Sequence, residues 1–348
     1  MRGPPVGHRF ASGIMEVMLP SLSDILERTR IVSLPLNTKF RGVTTREAAI
    51  IEGPEAWTEF SPFLEYEPEE ASQWLAAALE YGFDPLLERV CHGSVAVNAT
   101  VPAVRPEEVP GVLARFDGCR TIKVKVAERG QTLADDLARL EAVVATAPGA
   151  AIRIDANAGW QLEEAETALR EIAKLGIQLE YAEQPVPTVP ELAELRQRIR
   201  DLGTPIAADE SVRKATDPLE VARAGAADHV IVKVQPLGGI RNALQVVQDA
   251  GLTATVSSAL DTSVGIVMGA QLAARLPEPR FAAGLGTVSL FAADVVIEPR
   301  RPKNGEVSLE PALPRESLLR EHRASAEREA WWHERIRACH EILVARAG

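Results

Sequence analysis

Cysteine is scarce in this 348-residue chain. Cys91, Cys119 and Cys339 lie far apart and form no CxxC pair. Their odd count argues against a disulfide framework and suits a reducing cytosol, so a cytoplasmic protein is expected. Long apolar runs are missing too. None approaches the ~20 residues that a membrane-spanning helix needs, and no membrane partner is expected. The opening MRGPPVGHRFASGIM lacks the apolar centre of a secretory signal, so residues 1–14 read as a leader outside the fold. Positive charge is in short supply: the formal net charge is −11, which disfavours the basic face a nucleic acid requires. Clustered carboxylates remain suited to a divalent cation. Nothing in the sequence points to an obligate protein partner, which leaves a small-molecule substrate as the expected ligand. What is present in bulk is ordinary for a globular protein, with 46% hydrophobic and 25% charged residues. The length fits one large α/β barrel or two domains.

From about Val95 a rhythm sets in. Short β-branched runs (SVAVNAT, TIKVKVA, AIRIDAN, QLEYAEQ, PIAADES, DHVIVKV, LTATVSS and RFAAGLG) alternate with helical segments over 133–147, 162–175, 189–202, 218–224, 240–250 and 263–275. Thr216-Asp217 before Pro218 is a typical helix opening. Strands and helices alternating every ~25–30 residues imply parallel βαβ units. Eight strands with no GxGxxG turn after the first favour a barrel over a doubly wound sheet. The segment before Val95 alternates like antiparallel strands and then turns helical, and residues after Glu298 end in a charged helix. The expected organisation is a capping domain over 15–93, a barrel over 94–298 and a C-terminal segment, 299–348, packed on the cap. Trp331 and Trp332 are expected to pack internally.

Three acids close successive strands: Asp155, Glu183 and Asp209, spaced 28 and 26 residues apart. Any one of them could be a helix cap or loop residue. Together, at the C-terminal ends of neighbouring barrel strands, they point to one site, and three oxygen ligands there suit Mg²⁺. One unit later Lys233 stands between Val232 and Val234 inside VIVKVQP, where a lysine must be paired, snorkelled or functional. One unit earlier, TIKVKVA turns Ile122, Val124 and Val126 to one face and Lys123 and Lys125 to the other. On its own that is a half-buried strand with a solvated face. Bracketing the acids, the lysines instead line the barrel interior. Removing the weakly acidic α-proton of a carboxylate calls for a divalent cation and a base whose pKa has been lowered. Lys123 is the neighbouring cation that would lower Lys125.

The K-x-K strand, the Asp…Glu…Asp series and the later lysine resemble the enolase superfamily, in the branch of muconate-lactonizing enzymes, dipeptide epimerases and o-succinylbenzoate synthases. NTKFRGVTTREAAIIEGPEAWTEFSPFLEYEPEEASQWL, SVAVNATVPAV and SSALDTSVGI resemble the actinobacterial o-succinylbenzoate synthase family. The resemblance implies a modified (β/α)₇β barrel capped by an α+β domain from both chain ends. The implied reaction is dehydration of 2-succinyl-6-hydroxy-2,4-cyclohexadiene-1-carboxylate to 2-succinylbenzoate in menaquinone biosynthesis. By position, Asp155, Glu183 and Asp209 would hold Mg²⁺, with Mn²⁺ as a substitute. Lys125 would take the α-proton and return it to the departing hydroxide. Lys233 would stabilise the enediolate and meet the ring by a cation–π contact, and Lys123 would assist electrostatically. Ser257, Ser258 and Gly286 are candidate substrate contacts, each with ordinary turn chemistry as its rival reading. Arg41, in the loop NTKFRG, could meet a substrate carboxylate, against its alternative as a surface arginine.

Two rival functions remain. A racemase or epimerase of the same superfamily would use Lys125 and Lys233 as opposed bases. The dipeptide branch is disfavoured because FAAGLGT carries no carboxylate; an N-succinylamino acid racemase is harder to separate. A non-enzymatic barrel, with the acids as caps, leaves the buried lysines unexplained.

Overall fold

The computed structural model describes residues 19–40, 42–213, 219–278 and 281–347. The leader, Arg41 and the Thr216-Asp217-Pro218 helix start lie outside them. The chain first builds an antiparallel meander of β1 (Thr29–Phe40), β2 (Val43–Glu52) and β3 (Trp57–Phe60). The helix Pro68–Phe83 lies against it, turning Ala71, Trp74, Leu75 and Ala78 inward at helical spacing. The C-terminal helix Ala326–Ala347 completes this layer by packing on that helix. Trp332 is fully buried among Phe60, Ile336 and Leu343, and its indole N–H donates to Glu47 at 2.8 Å. Trp331 stays partly exposed under the Arg328 guanidinium.

After β4 (Ser94–Ala96), seven parallel strands follow: β5 (Ala99–Val101), β6 (Thr121–Lys125), β7 (Ala151–Asp155), β8 (Leu179–Glu183), β9 (Ile206–Ala208), β10 (His229–Val232) and β11 (Thr253–Val256). They sit side by side in chain order, as successive βα units require. Helices between them begin where their capping chemistry dictates. Thr132 and Asp135 form a capping box for Leu133–Thr146, Thr188 and Glu191 one for Val189–Arg198, and left-handed Gly251 ends Ile240–Ala250. β12 (Glu306–Ser308) pairs with β4.

The expected eighth strand, RFAAGLG, is not a regular strand. Among the described residues it contributes two parallel bridges, Ala283 to Val97 and Gly284 to Ser257, which join the two edges of the sheet and close the barrel. SVAVNAT likewise divides in two. Val97 N–H donates to the Gly305 carbonyl and Asn98 N–H to the Ala283 carbonyl, so the chain changes partner between β4 and β5.

Candidate active site

Two-residue alternation decides which side chains fill the barrel. The lower interior layer contains Tyr181, Ala207 and Ile231, with Arg153 stacked on Tyr181 and His229 packed face-on to the same ring. The same alternation carries Lys123 and Lys125 on β6, Asp155 on β7 and Glu183 on β8 inward and upward. Lys125, Asp155 and Glu183 stand in one register row across the three strands. Asp209 and Lys233 follow the last residues of β9 and β10. The structure therefore brings all six expected residues to the C-terminal end of the barrel, where such folds carry their chemistry.

The six pair closely and are all buried. Lys123 Nζ donates to both Glu183 oxygens at 3.0 and 3.2 Å and lies 3.1 Å from Asp155 Oδ2. Lys125 Nζ reaches Asp155 Oδ2 and Asn157 Oδ1, each at 2.5 Å. Lys233 Nζ donates to Asp209 Oδ2 at 2.5 Å. Burial pulls the Lys125 ammonium below its ordinary pKa; Asp155 opposes this and the Lys123 charge adds to it. Burial acts on Lys123 in the same sense, yet Glu183 and Asp155 outweigh it and hold that ammonium above its usual range. Burial also resists ionisation of Asp155, but Lys125 and Lys123 keep it well below the usual carboxylate value. Glu183 is pushed up to about 8 by burial and then by the Asp155 charge beside it. The neighbouring lysine anticipated for Lys125 is thus in place, and desolvation is the larger cause.

The three acids are an all-oxygen, carboxylate set on adjacent strands, which by its chemistry fits a hard divalent cation. Among the described residues, no three acidic, histidine or cysteine side chains stand together as a metal cluster. The ammonium groups of Lys123 and Lys233 are bonded directly to these same carboxylates.

A cavity opens above this group, lined at its base by Lys123, Lys125, Asp155, Asp209 and Lys233 and at its rim by Ser257, Ser258, Ala259 and Leu260. Two expected contacts, Ser257 and Ser258, are therefore cavity residues. Gly286 is not among the lining. A Cβ there would meet the Asn98 carbonyl oxygen at 2.8 Å and the Phe116 ring at 3.3 Å, so this glycine serves close packing behind the wall. From that segment the cavity is lined by Gly284 and Thr287. Any side chain at Gly284 would strike Ser257 Oγ at 2.5 Å. The sequence reading missed Asn157, whose signal was its place two residues after Asp155. It also missed the cap's contribution of Phe40, Phe63 and Trp74, which resemble ordinary core aromatics.

The rim loop is clasped from the cap. Arg46 of β2 donates from Nε to the Leu260 carbonyl at 3.1 Å and from Nη2 to the Ala259 carbonyl at 3.3 Å, and its guanidinium lies 4.4 Å from the Phe63 ring centre. Glu59 of β3 accepts from Thr262 N–H, Thr262 Oγ1–H and Gly265 N–H, at 3.1, 2.6 and 3.0 Å. Leu260 holds a left-handed φ of 63°, a conformation that the clasp on its carbonyl helps to maintain.

A closed parallel barrel with acids and lysines gathered at its C-terminal rim, under a cap that supplies part of the wall, defines a capped-barrel enzyme. Residues 111–314 match the family described as Enolase C-terminal domain-like and residues 31–82 the Enolase N-terminal domain-like family. The o-succinylbenzoate synthase of Mycolicibacterium smegmatis (strain ATCC 700084 / mc(2)155) is 51% identical over 325 residues, 93% of this chain and 99% of that protein. The o-succinylbenzoate synthase of Mycobacterium marinum (strain ATCC BAA-535 / M) is 49% identical over 330 residues, 94% and 98% of the two chains. The chain belongs to the enolase superfamily and, within it, to the family of these o-succinylbenzoate synthases. Among solved structures, the muconate lactonizing enzyme from Pseudomonas fluorescens complexed with muconolactone is similar with a TM-score of 0.71 at 19% identity, over 85% of this chain and 98% of that one. The L-Ala-D/L-Glu epimerase from Bacillus subtilis follows at 0.67 and 22%, over 82% and 96%. At those identities the likeness speaks for the fold alone. Enzymes of the superfamily are in general dependent on a divalent metal.

Proposed function

We propose that the protein is an o-succinylbenzoate synthase, a hydro-lyase converting 2-succinyl-6-hydroxy-2,4-cyclohexadiene-1-carboxylate to 2-succinylbenzoate and water in menaquinone biosynthesis. The observation that carries this reading is the near-full-length identity of about half with synthases, in a chain whose cavity is lined by Lys123, Lys125, Lys233, Asp155 and Asp209. Asp155, Glu183 and Asp209 would hold the divalent cation, Mg²⁺ or Mn²⁺ in its place. When bound, the cation would supply positive charge to the substrate carboxylate as negative charge accumulates there.

The steps belong to the protein's own side chains. Lys125, as a neutral amine, takes the C1 proton. The C–H electron pair passes into the carboxylate as an enediolate, while Lys233 and Lys123 supply fixed positive charge on either side. The C6–O bond then breaks, its electron pair leaves with the hydroxyl, and the ring becomes aromatic. Lys125, now an ammonium, delivers its proton to the leaving hydroxide, releasing water and returning to the amine. One lysine therefore serves as base and acid on the same face, a syn elimination. Burial of Lys125 favours the neutral form that the first step needs. No helix among the described residues is long and apolar enough to cross a membrane.

One observation favours a second activity, N-succinylamino acid racemisation: Lys125 and Lys233 line the same cavity and could act as opposed bases. Incubating the protein with Mg²⁺ and the cyclohexadiene acid, and separately with N-succinylamino acids, decides between them by kcat/KM. A negligible dehydration rate beside efficient racemisation overturns the synthase reading.

A further inference from the structure

We infer that Trp74, from the capping domain, is a substrate-binding residue whose indole N–H receives the terminal carboxylate of the substrate's acyl tail. The inference rests on the synthase reading above. Trp74 lies on the inward face of the helix Pro68–Phe83, is 0% exposed, and lines the active cavity. Its Nε1–H has no hydrogen-bond partner among the described residues. A buried indole N–H almost always finds an acceptor, because leaving a donor unpaired is costly. Trp332, the other fully buried tryptophan of the cap, obeys this rule by donating to Glu47. On a side chain that lines the cavity, an unpaired donor is one that a ligand can satisfy.

The surroundings say which ligand group it meets. The reacting ring carboxylate belongs at the base of the cavity, next to Lys125, Lys233 and the acids. An acyl tail on the neighbouring ring carbon must extend away from that base, towards the wall that the cap supplies through Phe40, Phe63 and Trp74. Phe63 holds the indole in place by an edge contact and Tyr66 by a tilted one, with ring centres 6.2 and 6.0 Å from it. Arg46 lies over Phe63, so the pocket around Trp74 carries a buried positive charge that suits an anionic tail end. Arg46 is itself engaged with the Ala259 and Leu260 carbonyls, whereas the Trp74 N–H has no partner among the described residues.

The test is Trp74→Phe, which removes the N–H and keeps an aromatic ring in the cap. Steady-state dehydration and equilibrium binding of two probes are measured with Mg²⁺ present: 2-succinylbenzoate and 2-butanoylbenzoate, which lacks the terminal carboxylate. The expected result is a rise in KM and in the 2-succinylbenzoate Kd of roughly tenfold, as for loss of a hydrogen bond to a charged group. kcat should stay within about twofold, and the 2-butanoylbenzoate Kd should be the same in both proteins. A purely packing role would lower the melting temperature and weaken both probes alike. Unchanged KM and Kd for 2-succinylbenzoate in Trp74→Phe, with wild-type turnover intact, overturns the inference and leaves the synthase reading standing. A wild-type protein that neither dehydrates the substrate nor binds 2-succinylbenzoate overturns both.

Discussion

Replacing Lys125 tests the assigned chemistry most directly, and the structure fixes what each variant should do. Lys123 cannot stand in as base, since its ammonium is held by Glu183 and Asp155. Lys233 is bonded to Asp209 on the far side of the acids. Lys125→Ala therefore loses the proton acceptor and, in the second half of the reaction, the proton donor. General acid–base catalysis by a placed side chain is worth roughly 10²–10⁴-fold, and here one residue carries both halves. A fall in kcat of about 10⁴ is expected, equivalent to about 5 kcal/mol of barrier. Lys125→Arg separates base from charge. The guanidinium keeps the positive charge near Asp155 but does not deprotonate, so it should be as inactive as the alanine variant. Loss of the diene absorbance on mixing reports the rate, and 2-succinylbenzoate binding verifies that each variant retains its cavity. The alanine variant leaves Asp155 with Lys123 at 3.1 Å as a remaining counter-ion, so it should fold. Activity above about 1% of wild type in either variant, against the 10²–10⁴ expected of a lost base, refutes the role.

Removal of divalent metal by EDTA should abolish turnover and lower the melting temperature; added Mg²⁺ should restore both, with Mn²⁺ a substitute, and activity that survives EDTA counts against the three acids as ligands. His229 is held neutral, its pKa pushed down to about 3 by burial and then by Arg153. Between about pH 6.5 and 3 the unfolded chain takes up a proton that the native state refuses. The native advantage is therefore full above 6.5 and is lost as pH falls, by about 2 kcal/mol at pH 5. Urea titrations at pH 7 and 5 should show a smaller difference in His229→Gln than in wild type. Glu59→Ala strands the Thr262 and Gly265 N–H groups at the seam of cap and barrel and should cost about 3 kcal/mol or more, read by denaturant midpoint. For any N-succinylamino acid activity, a two-base site predicts that Lys233→Ala and Lys125→Ala each keep solvent-deuterium exchange with opposite enantiomers; retention of exchange with the same enantiomer in both rejects opposed bases.

The barrel was legible because its strands and helices repeat with distinct periods. Five of the expected helices begin at the residue where the structure begins them. Thr132, Thr188 and Thr262 cap three of them locally, whereas Ile240–Ala250 follows Gly239 and donates its first N–H groups to Glu80 of the cap. The six charged residues were legible for the same reason: alternation fixes their face, and position at a strand end fixes their layer. What escaped was non-local. The last strand reduces to two bridges because its neighbours, Val97 and Ser257, are supplied by opposite edges of the sheet, and nothing within RFAAGLG records that. Gly284 and Gly286 lie in one short motif, and only the approach of Ser257 to Gly284 and of Phe116 to Gly286 separates their roles. Phe63 and Trp74 carry an apolar pattern that reads as core, and they are core. Their second role, as cavity wall, depends on the cap's placement over the barrel.

That placement bears on how one catalytic arrangement can serve different substrates. The acids and lysines come from β6 to β10, whose spacing the barrel enforces, so they vary little in position however the rest of the chain changes. On the proposed reading, the wall that meets the substrate tail comes from the cap and from the loop after β11. These two parts are tied to one another by Arg46 and Glu59, which bind the loop's carbonyls and N–H groups across the seam. A change in the cap is therefore felt directly at Ala259 and Leu260, a few residues from the Ser257 and Ser258 hydroxyls, without passing through the catalytic strands. Since those strands already pair their buried acids with lysines, removing one partner would leave a buried charge uncompensated. On the proposed reading, selectivity is set by residues outside that charge network, which can change without leaving a buried charge uncompensated.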